Sequence, residues 1–283
     1  MSFASIDTQK TVTYFKSKRE LLRKDDFLAI EEPLEMTISY KGKKKSLSLT
    51  MRTPGDDQDL VVGYLLAEGI INTYDDIDWS QKGIVFEEGK NSHVCAYLNK
   101  EPIDLDILER NSYMSSSCGV CGKASIESLD VLQELKDQED EEISRKASIL
   151  SSSFFFSLPN ILRKNQDIFE KTGGLHGAML VDFEGGMIAL REDVGRHNAV
   201  DKLFGYCLLN RVNTKLGVLL LSGRISFELI QKASKSGVKF VAGIGAPSSF
   251  AVSLARKNNI TLIGFLKEDS FNCYTGNERI LYE

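Results

Sequence analysis

Residues 217–265 read GVLLLSGRISFELIQKASKSGVKFVAGIGAPSSFAVSLARKNNITLIGF, and their rhythm decides the fold. Short apolar runs at 217–221, 239–242 and 260–265 alternate with helix-length segments at 226–236 and 248–257. Strands separated by such segments imply βαβ crossovers, hence a mostly parallel, buried sheet with helices on its faces. In sheets of this kind ligands collect beyond the carboxyl ends of the strands.

Upstream of that stretch the pattern continues. Residues 156–171 have helical spacing and stop at Gly173-Gly174, and 177–183 with 187–190 form a hairpin over Glu184-Gly185-Gly186. A helix follows at 198–209. Four segments then fall at strand ends: Arg191 to His197, Ser222-Gly223-Arg224, Gly243 to Ser248, and Phe265 to Ser270. Glycine lets backbone approach a ligand closely, Ser226 and Ser248 are natural helix N-caps, and helix amides there can face an anion. Arg196, Arg224 and Lys267 add positive charge. Each motif alone is ordinary turn chemistry; their convergence on one sheet edge makes a phosphate cradle.

The first half reads as a small α+β unit. Residues 36–40 and 46–51 alternate apolar and polar around Lys41-Gly42-Lys43, a hairpin signal. Residues 59–69 carry apolar positions at helical spacing and end on glycine, and 83–86 with 93–98 suggest another strand pair. Residues 126–143 read as a connecting helix whose acidic run, Asp137 to Glu142, is a solvated face. The expected division is residues 1–145 and 146–283.

Between these halves lies Ser115-Ser116-Ser117-Cys118-Gly119-Val120-Cys121-Gly122-Lys123. Two thiols at CxxC spacing among serines and glycines suit a loop that a partner can reach, so their chemistry outweighs their packing. The 283 residues include 5 cysteines, an odd number in a long chain, which argues for a reducing cytoplasm rather than a disulfide framework. A net charge of −5 carries no general nucleic-acid signature. No apolar run is long enough to suggest a membrane span, and the start lacks a secretory segment.

The block Arg191-Glu192-Asp193-Val194-Gly195-Arg196-His197-Asn198-Ala199-Val200-Asp201-Lys202, with the Cys118-Gly119-Val120-Cys121-Gly122 loop, closely resembles the FdhD/NarQ family of formate dehydrogenase accessory sulfurtransferases. Thr53-Pro54-Gly55, Thr172 to His176, Ser222-Gly223-Arg224 and Leu262 to Phe265 look like its other landmarks, in order. The resemblance implies a cytoplasmic homodimer that accepts persulfide sulfur from a cysteine desulfurase. It passes that sulfur to a bis-molybdopterin guanine dinucleotide cofactor (molybdenum or tungsten) needed by formate dehydrogenase. On this reading Cys118 carries the persulfide and Cys121 assists release. Phe265, Leu266, Lys267, Glu268, Asp269 and Ser270 lie against a guanine nucleotide, with Arg196, His197, Ser222 and Arg224 completing the site. The implied fold is α+β overall, a small α+β first domain before a cytidine deaminase-like three-layer α/β second domain. Ser117 before Cys118, and Cys273 just past the nucleotide segment, depart from the expected pattern or have no role in it.

Rival readings rest on the same residues. Zinc could be held by Cys118, Cys121, His93 and Cys95, since thiolate and imidazole suit tetrahedral zinc. A thiol-disulfide oxidoreductase would place CxxC at a helix start after a strand, which this sequence does not. A nucleobase deaminase needs H-x-E and a later P-C-x-x-C; His176-Gly177-Ala178 lacks the glutamate. A cofactor chaperone that moves no sulfur would use the sheet edge but not Cys118. His176 is a candidate for the same cleft or a structural hydrogen bond. Cys207 and Cys95 read as core, and Asp201 and Lys202 as surface or interhelix contacts.

Overall fold

The computed structural model describes residues 5–15, 17, 19–80, 82–87, 92–101 and 149–283. Cys118, Cys121, the acidic helix and the boundary expected at 145/146 lie outside the described residues.

The chain opens with a hairpin that the sequence reading did not include, β1 (Ile6–Phe15) and β2 (Glu20–Ala29), paired antiparallel over their whole length. Next come β3 (Glu32–Tyr40) and β4 (Lys43–Arg52), joined through Lys41 and Gly42, both at positive φ, as a tight hairpin requires. Helix α1 (Asp57–Ala67), β5 (Ile84–Phe86) and β6 (His93–Tyr97) complete a four-stranded sheet of order β4-β3-β6-β5. Leu34, Met36 and Ile38 alternate on one face of β3 and are buried against Leu60, Val61 and Leu65 of α1. Each such side chain contributes roughly 1.5–3 kcal/mol by leaving water.

The second half starts with β7 (Leu150–Ser151), α2 (Ser152–Asn165) and α3 (Asp167–Thr172). The single helix expected over 156–171 is therefore two. The break has a cause far along the chain. The Glu192 carboxylate accepts from the Ile168 and Phe169 amides at 3.2 and 3.0 Å and so caps a new helix start.

The remaining elements are β8 (His176–Asp182), β9 (Met187–Asp193), α4 (Arg196–Leu209), β10 (Gly217–Leu221) and α5 (Phe227–Lys235). Then follow β11 (Phe240–Gly243), α6 (Ser249–Lys257), β12 (Thr261–Gly264), β13 (Asn272–Thr275) and β14 (Ile280–Leu281). Six strands form one sheet in the order β13-β12-β11-β10-β8-β9. The three strands joined by helical crossovers are parallel. The hairpin β8–β9 and the short return to β13 are antiparallel, so the sheet is mixed rather than mostly parallel. Short connections reverse the chain, and only a crossover restores its direction.

Both faces of this sheet are covered. Leu219 and Leu221 pack with α4, α5 and α6, while Val218 and Leu220 pack with Phe155, Leu158 and Leu162 of α2. The period of two along β10 thus feeds two cores. The chain is α+β overall.

The halves meet where α1 crosses α4. A Cβ at Gly63 would lie 1.8 Å from the Asp201 carbonyl oxygen, and one at Gly205 would lie 1.8 Å from that of Asp59. Only glycine at both positions lets the two backbones touch. Beside the crossing, the Arg191 guanidinium of β9 donates to Asp59 at 2.9 and 2.7 Å and lies over the Tyr206 ring.

Candidate functional site at the strand ends

The parallel strands β10, β11 and β12 end side by side, and the loops that follow are sewn into one rim. The Ile244 amide donates to Leu221 at 3.0 Å, Gly245 to Gly223 at 3.3 Å, and Ile225 to Ala246 at 3.0 Å. From the next loop Phe265 donates to Gly245 at 3.1 Å and Leu266 to Gly243 at 3.0 Å. Ser222 joins the rim to β8, its hydroxyl accepting from Gly177 N at 2.9 Å.

Phe265 holds a left-handed backbone (φ 52°) and is 45% exposed. A bulky residue in that region is strained, and such strain concentrates at functional sites. Leu266 turns the other way, into the core with Phe240 and Ile263, so of the expected nucleotide segment its side chain does not reach the surface. Lys267, Glu268, Asp269 and Ser270 are exposed, on a turn closed by Lys267 N to Ser270 O at 2.8 Å. Beyond Ser270 a shallow concavity of about 440 Å³ is lined by Phe156, Phe271 and Tyr282 with Ser152, Ser270 and Glu283.

A second group of basic residues reaches the rim from the start of α4. Its foundation is Asp193, fully buried at the end of β9. The carboxylate pairs with Lys202 Nζ at 2.7 Å and accepts from Thr53 N, Gly195 N and Asn198 Nδ2 at 3.1, 2.8 and 3.1 Å. Burial pushes this carboxyl up, and the Lys202 charge pulls against it. Lys202 also donates to Thr53 O at 2.8 Å, and Val194 N donates to Thr53 Oγ1 at 3.1 Å. Lys202 is therefore a buried keystone rather than a surface residue. Asp201, also buried, bridges α4 to α5 through Lys232 at 2.6 Å, the interhelix contact expected of it.

This clamp fixes where Arg196 and His197 begin their helix. His197 Nε2 lies 3.2 Å from Ser226 Oγ and 3.7 Å from Glu228 Oε2, the latter an ion-pair distance. Ser226 thus faces His197 and makes no side-chain cap of α5, whereas Ser248 caps α6 as expected, accepting from Ala251 N at 3.1 Å. Burial alone would raise Glu228; His197 and Ser226 outweigh it and hold the carboxyl down to about 2. The Arg196 Nε is buried and has no hydrogen-bond partner. His176, at the start of β8, lies over Gly223: a Cβ there would sit 3.1 Å from the ring's Nδ1. Burial, then the charge of Arg196, holds His176 below its ordinary value, with smaller contributions in the same sense from His197 and Arg224.

The structure therefore brings His176, Arg196, His197 and exposed Arg224 to one rim with Phe265. A neutral imidazole among guanidinium groups, with an unmatched buried N–H, is an arrangement that an anion would complete. Thr53 and Lys202 hold that rim in place, a role that local pattern did not mark. Thr53 stands 140 residues before Asp193 and 149 before Lys202, so the contacts that give it a role exist only in the folded chain.

The other candidates lie elsewhere. Cys207 is buried in the core, and burial pushes its thiol up to about 12. Cys95 is buried on β6, and its neighbour His93 pairs with Glu35 at 2.5 Å through Nε2. Cys273 is half-buried with its thiol 3.3 Å from Thr275 O, and burial raises it as well. Among the described residues no group of three or more His, Cys, Asp or Glu is placed to hold a metal ion, and no helix is long and apolar enough to cross a membrane.

The sequence model of the FdhD/NarQ family matches residues 29–281. The chain is 40% identical over 283 residues to the protein named sulfur carrier protein FdhD of Mycolicibacterium paratuberculosis, covering 97% of this chain and 99% of that one. It is 41% identical over 274 residues to the protein of the same name from Sulfurisphaera tokodaii, covering 96% and 99%. Its fold is similar to the crystal structure of a candidate formate dehydrogenase accessory protein from Desulfotalea psychrophila, with a TM-score of 0.70, 21% identity and coverage of 98% and 99%.

Proposed function

Because the chain belongs to the FdhD/NarQ family, we propose that it is a sulfur carrier acting as a sulfurtransferase in the maturation of formate dehydrogenase. Its cargo is sulfur, taken from a cysteine desulfurase and delivered to bis-molybdopterin guanine dinucleotide in the cytoplasm. The observation that carries this reading is the rim where His176, Arg196, His197 and Arg224 converge beside Phe265. Such a rim suits the phosphates of a nucleotide-bearing substrate, and the aromatic concavity past Ser270 suits a flat base.

The thiol chemistry is supported by elimination. Of 5 cysteines, Cys95 and Cys207 are buried, and the Cys273 thiol is raised and half-buried. A carrier thiol must ionise and be reached, which leaves Cys118 and Cys121. The Cys118 thiolate attacks the outer sulfur of the donor's persulfide. A new S–S bond forms, the donor's S–S bond breaks, and the donor cysteine leaves as thiolate, with no net oxidation. For release the Cys121 thiolate attacks the Cys118 sulfur: a Cys118–Cys121 disulfide forms, the bond from Cys118 to the outer sulfur breaks, and that sulfur leaves to the acceptor at the sulfide level. The two thiols supply the electron pair, and an external dithiol reduces the disulfide afterwards. The basic rim holds the acceptor by its phosphates while the sulfur passes.

A second reading has one observation behind it. His93 Nδ1 is buried without a hydrogen-bond partner, and Cys95 shares its strand face, so a zinc site shared with Cys118 and Cys121 would serve a chaperone that moves no sulfur. Intact-protein mass spectrometry after incubation with a cysteine desulfurase and cysteine separates the two. The carrier gains one sulfur, about 32 Da, reversibly on reduction, and the Cys118→Ala variant gains none. No gain in the parent, with tightly bound zinc lost on Cys118→Ala, overturns the carrier reading.

A further inference from the structure

His197 is engaged on one side of its ring only. Nε2 lies 3.2 Å from Ser226 Oγ and 3.7 Å from Glu228 Oε2, while Nδ1 makes no hydrogen bond among the described residues. Ser226 holds the N-cap position of α5, where a serine ordinarily accepts from an amide of the first turn, yet its side chain caps nothing. Its hydroxyl bonds the Glu228 carboxylate instead.

The carboxylate sets the direction of this chain. Burial would raise Glu228, but His197, Ser226 and the residue's own amide hold it down to about 2, so near neutral pH it is ionised and can only accept. The single hydroxyl proton of Ser226 therefore points to Glu228, and the hydroxyl lone pairs face His197. Nε2 must carry a proton to meet them, whether the ring is neutral or charged. It is thus no base for Ser226, and His197 gains and loses its proton at Nδ1. The other carboxylates near the rim's histidines are committed elsewhere. Asp201 of α4 pairs with Lys232 at 2.6 Å, and Asp193 at the end of β9 pairs with Lys202 at 2.7 Å. The remaining titratable and charged groups there are Arg196 on α4, His176 on β8 and Arg224 before α5. Glu228 is the carboxylate that answers His197.

We propose that Glu228, acting through Ser226, positions His197 so that a phosphate-bearing nucleotide bound at the rim takes up a proton from solvent at His197 Nδ1. The inference rests on the reading of the rim as a phosphate site. Arg196 Nε is a buried donor without a partner. A phosphate that accepts from it has oxygens left for a second donor, and Nδ1 supplies one only as N–H. Proton and nucleotide then strengthen each other's binding, so the grip tightens toward acid and loosens toward base. Glu228 touches no ligand in this scheme and is a positioning residue.

Glu228→Gln keeps the shape but can donate as well as accept, so the Ser226 hydroxyl is free to turn and the ring to take either tautomer. The chain has 3 histidines, few enough for the ring nitrogens of the full-length protein labelled with 15N to be told apart by NMR. In the parent the neutral His197 ring should be the Nε2–H form, and in Glu228→Gln a mixture of both. Calorimetric titration with GDP, in buffers of different ionisation enthalpy, counts the protons taken up. Glu228→Gln should match the parent at about pH 8.5, bind roughly tenfold more weakly at about pH 6, and take up fewer protons. The phosphate of GDP titrates alike in both experiments, so the difference between the proteins reports His197. Should Glu228→Gln lose its fold, the ring nitrogen of the parent still decides. An Nδ1–H ring in the parent, or equal pH profiles and proton uptake in the two proteins, overturns the inference and leaves the phosphate reading standing. Failure of the parent to bind GDP at any pH overturns both.

Discussion

Arg196 shows how one residue can serve binding against stability. Its Nε is buried without a partner, which is unfavourable until a ligand accepts from it. Replacing it by methionine removes the unmet donor and leaves the shape. We therefore expect Arg196→Met to keep or raise the urea midpoint while weakening GDP, a mimic of the cofactor's nucleotide, by roughly ten- to a hundredfold, the loss of a charge-assisted hydrogen bond. Titration calorimetry beside urea unfolding checks both, and a parallel loss of stability would assign Arg196 to the scaffold instead. His176 contributes a pH dependence of known sign. Its folded value lies below the ordinary 6.5, so the unfolded chain takes up the proton first. The associated stability is full above about pH 6.5 and declines as the pH falls below it. Glu228, held at about 2 against an ordinary 4.5, adds a further loss only below that range. Urea unfolding at about pH 7.5 and about pH 5.5, on either side of the ordinary histidine value, should show a smaller decline for His176→Gln than for the parent. An equal decline would mean that another group titrates there. Arg196 and His197 were legible in the sequence because they sit in a block with strand-end glycine. Thr53 and Lys202 were marked only as members of such segments, and their role was not legible, since what makes them matter is a carboxylate reached only in three dimensions.

At the scale of elements, the strands and helices of 217–265 were readable because burial on both faces of a sheet leaves unbroken apolar runs between helices of ordinary length. The hairpin β1–β2 left no such trace. Its faces each mix apolar and charged residues, so no period of two marks an inside. β13 has four residues and no buried alternation, and the break between α2 and α3 is set by Glu192 from another strand. The crossing of α1 and α4 is likewise invisible locally, because glycine inside a helix ordinarily reads as a weakness. Here it is a requirement. A methyl group at either position would fall 1.8 Å from a backbone carbonyl oxygen, and backbone cannot rotate away as a side chain can. Gly205→Ala gains about 1 kcal/mol in helix propensity yet forces the helices apart. We expect a net loss of at least about 1–3 kcal/mol in chemical denaturation. A neutral or stabilising outcome would show that α1 and α4 are not held this close in solution.

The whole molecule is joined more tightly than a sequence divided into two domains suggests. Linkers between independent domains are crossed by few contacts, and interfaces between domains are usually polar and yielding. Here the first half sends Thr53 into the turn that orients Arg196 and His197, and α1 lies backbone to backbone on α4. The anion rim of the second half therefore depends on a loop of the first. The ion pair of Asp193 and Lys202 is the centre of that dependence, with both side chains almost fully buried and Lys202 bonded to Thr53 O. Removing one partner of such a pair strands the other charge in the interior, at about 3–5 kcal/mol. Two results should follow. The parent should unfold in a single calorimetric transition, with van't Hoff and calorimetric enthalpies equal, since neither half keeps its fold once the other is lost. Lys202→Met should unfold at lower temperature and, if folded at low temperature, should bind GDP weakly even though no residue of the rim has changed, because Asp193 no longer holds Thr53 and Gly195 in place. Two separate transitions in the parent, or full GDP affinity in Lys202→Met, would mean that the halves are autonomous and that the rim is positioned by the second half alone.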